Sequence, residues 1–355
     1  MSTQTQSIFN QICHLAAEKK ADQIYFLPGQ LPAIKVNGDL SFLKNQNIVS
    51  TSFTQELIDV LIEPDEKKEL EKEQQIKLVK KLEKVGNIQV DIYFSREMPC
   101  FRIELLKQNI PVLSDLNAPD LVKNILNKEK GVVFVTGDMG RYDLAASILD
   151  HINKNKTKFI ATLEDPIKTI ISGNKSVIEQ REIGTDISSF EKGLEFIRER
   201  DPDVLMVSQV KNSKVMDEVF AIAESGVLVF ALFDTSNTVK TIKRILHFYS
   251  LGKSDHVKYF LSENLAGSIT SQQIPKIGGG RMRAYEVLIG TSAVKNNVAS
   301  GKFHRLSGMI NTVGEQTAIS LDQHLADLVR KGEIMSEQAL KNCNNKDTLR
   351  TLLSR

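Results

Sequence analysis

The sequence predicts an α/β protein of two domains, in which a small α+β domain precedes a larger domain that is built on a parallel sheet and ends in a helical region. Its 355 residues are a comfortable length for two domains. From residue 131 to about residue 235, continuous apolar strands alternate with amphipathic helices, as in parallel sheets that are covered on both faces. The first hundred residues instead contain short strand-like pieces between Pro-Gly and Asn-Gly turns.

Residues 1–108 are assigned to the small domain. Apolar residues at helical spacing predict its helices, and a run of mixed charges is typical of a helical face exposed to solvent. The predicted elements, in order, are a helix over 8–19, a hairpin at Asn37-Gly38, a helix over Thr54–Leu61, a solvated helical face over the charged run 63–86, and strands at 87–95 and 99–106.

The larger domain is predicted to follow a linker and a short helix. Residues 109–130 form this connection, because Pro111 and Pro119 punctuate them, and residues 131–355 form the domain. The part from Val239 onward is predicted to be mainly helical, with one strand near 284–290. The predicted elements before it are strands at 132–137, 158–166, 204–210 and 227–235, and helices at 144–155, 190–202 and 213–226.

The composition excludes several classes of function. Charged residues make up 25% of the chain and the net charge is only +2, so nothing favours nucleic acid as a partner. Three scattered cysteines without metal-ligand spacing predict buried thiols in a reducing, cytosolic compartment and no metal site. No apolar run approaches the roughly 20 residues that a membrane-spanning helix needs, and we find no signal-peptide pattern.

Residues 137–144 stand where a phosphate-binding loop would follow the first buried strand. Such a loop reads G-x-x-x-x-G-K-[ST], in which amides wrap the phosphates, the lysine neutralises them and the hydroxyl holds magnesium. In this register the first glycine is retained, while the second glycine, the lysine and the hydroxyl residue are replaced. The positions are Gly137, Gly140, Arg141, Tyr142 (for glycine), Asp143 (for lysine) and Leu144 (for the hydroxyl residue).

Each replacement in this loop is adverse to nucleotide. Tyr142 adopts a left-handed turn poorly and adds bulk, and Leu144 cannot ligate a metal. Asp143 replaces attraction with repulsion, and one unit-charge pair near 4 Å is worth about 4 kcal/mol at an effective dielectric constant near 20. Arg141 is a candidate substitute for the missing lysine. An ordinary strand–turn–helix explains this stretch equally well.

Further stretches, spread over nearly the whole chain, decide the interpretation. They are KADQIYFLPGQLPAIKVNGDL, GVVFVTG, ATLEDPIK, QREIGTD, RERDPDVLMVSQV, ESGVLVFALFDTSNTVKTIKRI, GGGRMRAYEVLIGTSAVKNNVASGKFHRL and SLDQHLADLVRKGEI. Each is modest alone, but their joint order and spacing are highly specific. Together they resemble the twitching-motility secretion ATPases of the PilT type, which power the retraction of type IV pili.

The resemblance implies an architecture and a setting. It implies a PAS-like domain over residues 1–108, joined to a RecA-like P-loop NTPase domain over residues 131–355. It also implies a ring, commonly of six subunits, with nucleotide bound between neighbours. Such a ring would dock on the cytoplasmic side of a pilus assembly platform in the inner membrane.

The resemblance also assigns roles to individual positions. The catalytic glutamate of the family's acidic box is present as Glu164, where a carboxylate could polarise water. The sequence Asp165-Pro166 is explained equally well as a turn at the end of a strand. The glycine-glutamate pair of the Walker B strand is replaced by Ser208-Gln209, and a glutamine cannot act as a base.

Other functional positions of the family are replaced as well. The two histidines of its histidine box are Val227 and Asp234 here. The arginines that would reach a neighbour's phosphates are replaced at two positions and retained at two, and the family's retraction signature is altered. The positions are Asn87 and Gln89 (for arginines), Arg96 and Arg102 (retained in an alignment with a gap), and Lys295, Ala299 and Ser300 (for arginine, arginine and glutamate of the signature).

These replacements favour a pseudo-ATPase that modulates pilus retraction through protein interactions. Its expected partners are further copies of itself or a homologous ATPase in a ring, and a platform protein; no cofactor is expected. The alternative is a divergent but active retraction motor, which would bind ATP and magnesium. A decaying paralogue, or a scaffold outside the pilus system, is the remaining interpretation.

Overall fold

The structure, a computed structural model, describes residues 2–36, 38–106, 109–312 and 316–354. The chain divides into two compact units, Met1–Asn109 and Ile110–Arg355. Both units combine a sheet with helices, so the predicted α/β class with a helical carboxyl-terminal part is confirmed. Gln108, the predicted end of the small domain, and Asn37 of the predicted hairpin lie outside the described residues.

The described part of the first unit contains a six-stranded antiparallel sheet and three helices. The strands are β1 (Gln23–Phe26), β2 (Ala33–Val36), β3 (Asp39–Phe42), β4 (Gln75–Leu82), β5 (Gly86–Ser95) and β6 (Met98–Leu105). They lie in the order β3-β2-β1-β6-β5-β4, and each neighbouring pair is antiparallel. The helices are α1 (Ser2–Glu18), α2 (Thr51–Leu61) and α3 (Pro64–Glu73). Phe9, Leu57 and Phe101 are fully buried in the core that joins the helices to the sheet.

The charged run 63–86 is not one solvated helix, as the sequence predicts, but a helix followed by a strand. The helix α3 ends at Glu73, and Gln74 follows in the left-handed conformation with φ 57°. The strand β4 then pairs with β5, and Ile76 lies opposite Ile92. Every second residue of β4 from Ile76 onward is more buried than its neighbours. Lys80 on the more buried side and Val79 on the exposed side hide the period of two in the sequence.

The described part of the second unit contains an eight-stranded sheet in the order β14-β13-β12-β7-β11-β10-β8-β9. Its strands are β7 (Gly131–Gly137), β8 (Phe159–Glu164), β9 (Val177–Glu182), β10 (Val204–Val207), β11 (Leu228–Phe233), β12 (Leu265–Pro275), β13 (Arg281–Ile289) and β14 (Ala318–Ile319). From β12 to β9 the neighbouring strands are parallel, whereas β13 and β14 are antiparallel additions at one edge.

Helices cover both faces of this sheet. They are α4 (Asp120–Leu126), α5 (Arg141–Asn155), α6 (Phe190–Arg198), α7 (Ser213–Glu224), α8 (Thr238–His247), α9 (Ser254–Asn264), α10 (Ser292–Ala299), α11 (Phe303–Thr312), α12 (Leu321–Arg330), α13 (Ser336–Asn342) and α14 (Lys346–Leu353). Val132 and Phe134 pack with α6 to α9, whereas Val133 and Val135 pack with α4 and α5. Within the described ranges, no helix is long and apolar enough to cross a membrane.

The prediction of one strand, near 284–290, in the mainly helical region after Val239 misses β12. This strand lies beside β7 in the middle of the sheet and is eleven residues long. Its inward positions include hydroxyl residues, so it lacks the continuous apolar run that marks β7. Thr270, for example, is fully buried and forms a hydrogen bond of 2.7 Å with Thr136 through the two hydroxyl oxygens. The sequence prediction also misses β9, a charged strand at the sheet edge.

Candidate functional site

The predicted loop, acidic-box, Walker B and histidine-box positions of the larger domain lie at the carboxyl edge of the parallel strands, with one exception. Gly137 ends β7, Glu164 ends β8, and Gln209 and Asp234 follow β10 and β11. The carboxyl ends of parallel strands form the usual ligand-binding edge of such a sheet.

The exception is Val227, which comes directly before β11 and is 3% exposed within the core. The strand of six residues that separates Val227 from Asp234 spans roughly 20 Å. Val227 therefore lies at the opposite edge of the sheet and shares no site with the others within one chain.

Gly137 is required by the packing of two strands. Its φ is +123°, and a Cβ atom there would lie 1.8 Å from the carbonyl oxygen of Ser271 in β12. No other residue fits so close to a neighbouring backbone. The retained glycine is thus explained without any phosphate.

The loop after β7 is closed by its own hydrogen bonds. The amide of Gly140 donates to the Asp138 carboxylate at 2.8 Å. The amide of Arg141 donates to the carbonyl of Asp138 at 3.0 Å, and the amide of Tyr142 donates to that of Met139 at 3.4 Å. Three consecutive amides that would face phosphate oxygens in a phosphate-binding loop are therefore bonded within the protein. The turn leads directly into α5, and Tyr142 has a helical rather than a left-handed conformation.

Asp143 is paired with a buried arginine. Its Oδ2 atom accepts a hydrogen bond of 3.0 Å from Nη2 of Arg283, a residue of β13 whose side chain is 5% exposed. Nη1 of the same guanidinium donates to the carbonyl of Gly140 at 2.8 Å. The expected repulsion by Asp143 is thus reduced, because Arg283 of β13 forms an ion pair with it.

The aromatic ring of Tyr142 contacts two cations. The guanidinium carbon of Arg141 is 4.6 Å from the ring centroid, and Nζ of Lys168 is 4.7 Å from it. The hydroxyl accepts from Nη2 of Arg141 at 3.3 Å and lies near the side chain of Gln209. Burial raises the pKa of Tyr142. The ring therefore fills the space between the loop and the end of β10.

Arg141, the candidate substitute for the missing lysine, is hydrogen-bonded within the loop itself. Its guanidinium turns back onto the loop, where Nη1 donates to the carbonyl of Asp138 at 3.1 Å. The residue is 9% exposed, and its Nε atom has no hydrogen-bond partner. Leu144 is fully buried in the core beneath α5, so the position of the hydroxyl residue faces apolar side chains.

Glu164 is buried and held by its neighbours. Its Oε1 atom accepts hydrogen bonds from the hydroxyl of Thr162 at 2.7 Å and from Nε2 of Gln180 at 2.9 Å. Burial raises the pKa of Glu164 to about 7, although both hydrogen bonds act in the opposite direction. At neutral pH the carboxyl group is thus divided between its protonated and ionised forms.

The ends of β8 and β10 are tied together by the residues that replace the Walker B pair. Ser208 accepts a hydrogen bond of 3.0 Å from the amide of Asp165, and Nε2 of Gln209 donates to the carbonyl of Asp165 at 2.9 Å. Asp234 forms an exposed ion pair with Arg244 of α8. Within the described residues, no group of three or more His, Cys, Asp or Glu side chains could hold a metal ion.

Among the predicted positions outside this edge, two in the first unit make side-chain contacts. In the first unit, Arg102 pairs with Asp91 and Glu104, while Gln89 is 2% exposed and donates to Asp91 at 2.6 Å. The remaining predicted positions are Asn87 in β5, Arg96 in the turn after β5 with φ 53°, Lys295 and Ala299 in α10, and Ser300 directly after α10.

Sequence reasoning missed Asp138 and Arg283, although both contact the loop directly. Asp138 occupies a variable position of the loop pattern, and Arg283 lies 143 residues beyond Gly140 in sequence. The only signal for Arg283 was the quoted stretch GGGRMRAYEVLIG, which gave no role to this residue.

Comparisons with known proteins agree with this architecture. Residues 112–276 match a family described as type II/IV secretion system protein. The type IV pilus ATPase PilU of Pseudomonas aeruginosa is 28% identical over 97% of this chain and 91% of its own length. The retraction ATPase PilT of the same organism is 27% identical over 93% of this chain and 96% of its own length.

A solved structure gives the same relationship. The crystal structure of the pilus retraction motor PilT with bound ADP has a TM-score of 0.85 and 30% sequence identity to this chain, and it covers 96% of this chain and 98% of its own. The similarity therefore spans both units and agrees with the family that the quoted stretches indicate. The chain belongs to the secretion ATPase family of type II/IV secretion system proteins and is a PilT/PilU-like member of it.

Proposed function

We propose that this chain is a type IV pilus protein that does not hydrolyse ATP and that modulates pilus retraction through protein contacts. The observation that carries this proposal is the closed loop, in which the amides of residues 140–142 are bonded within the protein. A loop that holds phosphates must offer these amides to the ligand. Binding would require the three bonds to break first.

The side chains around the loop add to this obstacle. The ring of Tyr142 fills the space between the loop and Gln209, and Leu144 presents no oxygen for magnesium. The loop region carries two buried arginines, Arg141 and Arg283, but both are directed to carbonyl oxygens and to Tyr142 or Asp143. These residues do not fit a complex of ATP with magnesium, so we propose no cofactor.

The proposed setting follows from the relatives. PilT of Pseudomonas aeruginosa is a retraction ATPase, and a relative from Neisseria gonorrhoeae, 27% identical over 90% of this chain, is a twitching motility protein. We propose that this chain forms a ring, commonly of six subunits, with itself or with an active homologue. The ring would act on the cytoplasmic side of the inner membrane, at the platform protein of the pilus, and without nucleic acid.

Phosphate release from ATP tests the inactive site. The purified chain, with magnesium and millimolar ATP, is expected to release phosphate at the same background rate as its Glu164→Ala variant. Magnesium-dependent turnover that Glu164→Ala abolishes would contradict the proposal. Native mass spectrometry of the chain, alone and mixed with an active PilT homologue of the same organism, tests the ring; a monomer in both samples would contradict that part.

A divergent, active motor is the second candidate, and one observation favours it. Glu164 is retained at the end of β8, and its pKa of about 7 lies in the range that suits a general base. Its Oε1 atom is, however, engaged by Thr162 and Gln180. The same turnover experiment separates the two candidates.

A further inference from the structure

Two side chains outside the known loop pattern hold the loop closed. The carboxylate of Asp138 accepts a hydrogen bond from the amide of Gly140 at 2.8 Å through Oδ1, and from the amide of Gln273 at 2.6 Å through Oδ2. It therefore joins the loop to the segment of β12 that runs beside it. An anionic group that accepts from loop amides is what a bound phosphate provides in an active loop.

Arg283 contacts the same loop with a positively charged group. It reaches from β13 to the carbonyl of Gly140 at 2.8 Å and to Asp143 at 3.0 Å. The approach is so close that a Cβ atom on Gly140 would lie 2.2 Å from Nη1 of Arg283. The glycine at 140 therefore admits the arginine, and the arginine occupies the side of the loop where residue 143 points.

This arrangement changes what a lysine at position 143 would meet. In the standard pattern the lysine turns its charge to the phosphates, but here a lysine would face the buried guanidinium of Arg283. Two like charges at such a distance repel strongly where water is scarce. Restoring the lysine alone would thus not restore a phosphate site.

We infer that Asp138 and Arg283 determine the exclusion of nucleotide by this loop: they supply, from within the chain, the anion and the cation that phosphate and the loop lysine supply in an active loop. The inference rests on the proposed function, since it explains how an inactive loop stays ordered. It differs from that proposal in naming residues that no motif includes.

Binding of ATP to two engineered variants tests the inference. The first carries Tyr142→Gly and Asp143→Lys; the second adds Asp138→Ala and Arg283→Met. Leu144 stays unchanged, because a polar residue there would disturb the core. Isothermal titration calorimetry should show at least tenfold tighter ATP binding by the second variant. Equal affinities, or no binding by either folded variant, would overturn the inference.

In a matched control, a different pair of substitutions is added to the first variant. Arg198 forms an exposed ion pair of 2.9 Å with Glu218, away from the loop. Adding Arg198→Met and Glu218→Ala to the first variant should leave its affinity for ATP unchanged; an equal gain there would also overturn the inference. Tight ATP binding by the native chain is a separate result, which would contradict the proposed function.

A second measurement applies if the engineered variants do not fold. In the native chain carrying the single change Asp138→Ala, hydrogen exchange of the Gly140 amide should be at least tenfold faster than in the unaltered chain. An unchanged exchange rate would overturn the role of Asp138. The amide of Leu144, which donates to the carbonyl of Gly140 at 3.1 Å within α5, serves as the internal reference.

Discussion

At the scale of single residues, burial and pairing decide what each replacement does. Asp143 would repel phosphate if it stood alone, but it lies 3.0 Å from Arg283. Glu164 is the glutamate to which the resemblance assigns a catalytic role, yet it is 4% exposed and hydrogen-bonded to Thr162 and Gln180. The chemistry of these side chains depends on neighbours that the sequence does not place beside them.

The raised pKa of Glu164 predicts a dependence of stability on pH. Its value of about 7 in the folded chain lies above the ordinary 4.5, so the folded state holds the proton more tightly. The contribution of Glu164 to the free energy of unfolding is fully present below about pH 4.5. It is lost as the pH rises to 7, by about 3 kcal/mol. In Glu164→Gln this loss should disappear. Urea unfolding at pH 5 and pH 8 measures the difference.

A control and a contrary outcome accompany this prediction. Glu195→Gln changes an exposed glutamate of α6 and should leave the dependence on pH as in the unaltered chain. If Glu164→Gln and the unaltered chain lose the same stability between pH 5 and pH 8, Glu164 does not hold its proton more tightly in the folded state.

At the scale of elements, the contact of β7 with β12 fixes the start of the loop. Gly137→Ala would place a Cβ atom 1.8 Å from the carbonyl oxygen of Ser271, at a φ of +123°. Gly226→Ala is the matched control, since its φ is +113° and no atom lies within 4 Å of its Cβ position. We expect Gly137→Ala to cost at least about 2 kcal/mol more in unfolding free energy than the control. Equal losses in chemical denaturation would contradict this.

Elements with a continuous apolar run or a regular helical spacing of apolar residues were predicted from the sequence, and others were not. The strands β7, β8, β10 and β11 and the helices α5 to α7 were found because their apolar runs and helical spacing are unbroken. β12 was missed because buried hydroxyl residues such as Thr270 replace apolar ones, and β4 because an apolar Val79 lies on its exposed side and Lys80 on its more buried side. In the site, the loop and Glu164 were named, whereas Arg283 was not, because its contact with Gly140 joins distant parts of the chain.

At the scale of the whole molecule, the chain has separate cores. The core of the first unit includes Leu57 and Ile103, and a different core of the second unit includes Leu194 and Leu205, all of them fully buried. Truncating a side chain in one core should therefore destabilise only the unit that contains this core. This expectation follows because each core stabilises its own unit.

Calorimetry of two variants tests this independence. Ile103→Ala should lower the temperature of one unfolding transition, and Leu194→Ala should lower that of another, each by a loss of about 2–5 kcal/mol in its own unit. A single transition that both variants shift equally would show that the units unfold together.

The closed loop has a consequence for the cell. A protein whose folded state binds ATP becomes more stable as the ATP concentration rises, by RT ln(1 + [ATP]/Kd). A loop that bonds its own amides takes no part in this linkage. Under the proposed function, the resistance of this chain to unfolding and proteolysis would not follow the energy supply of the cell, and the protein would persist unchanged when its active relatives lose their ligand.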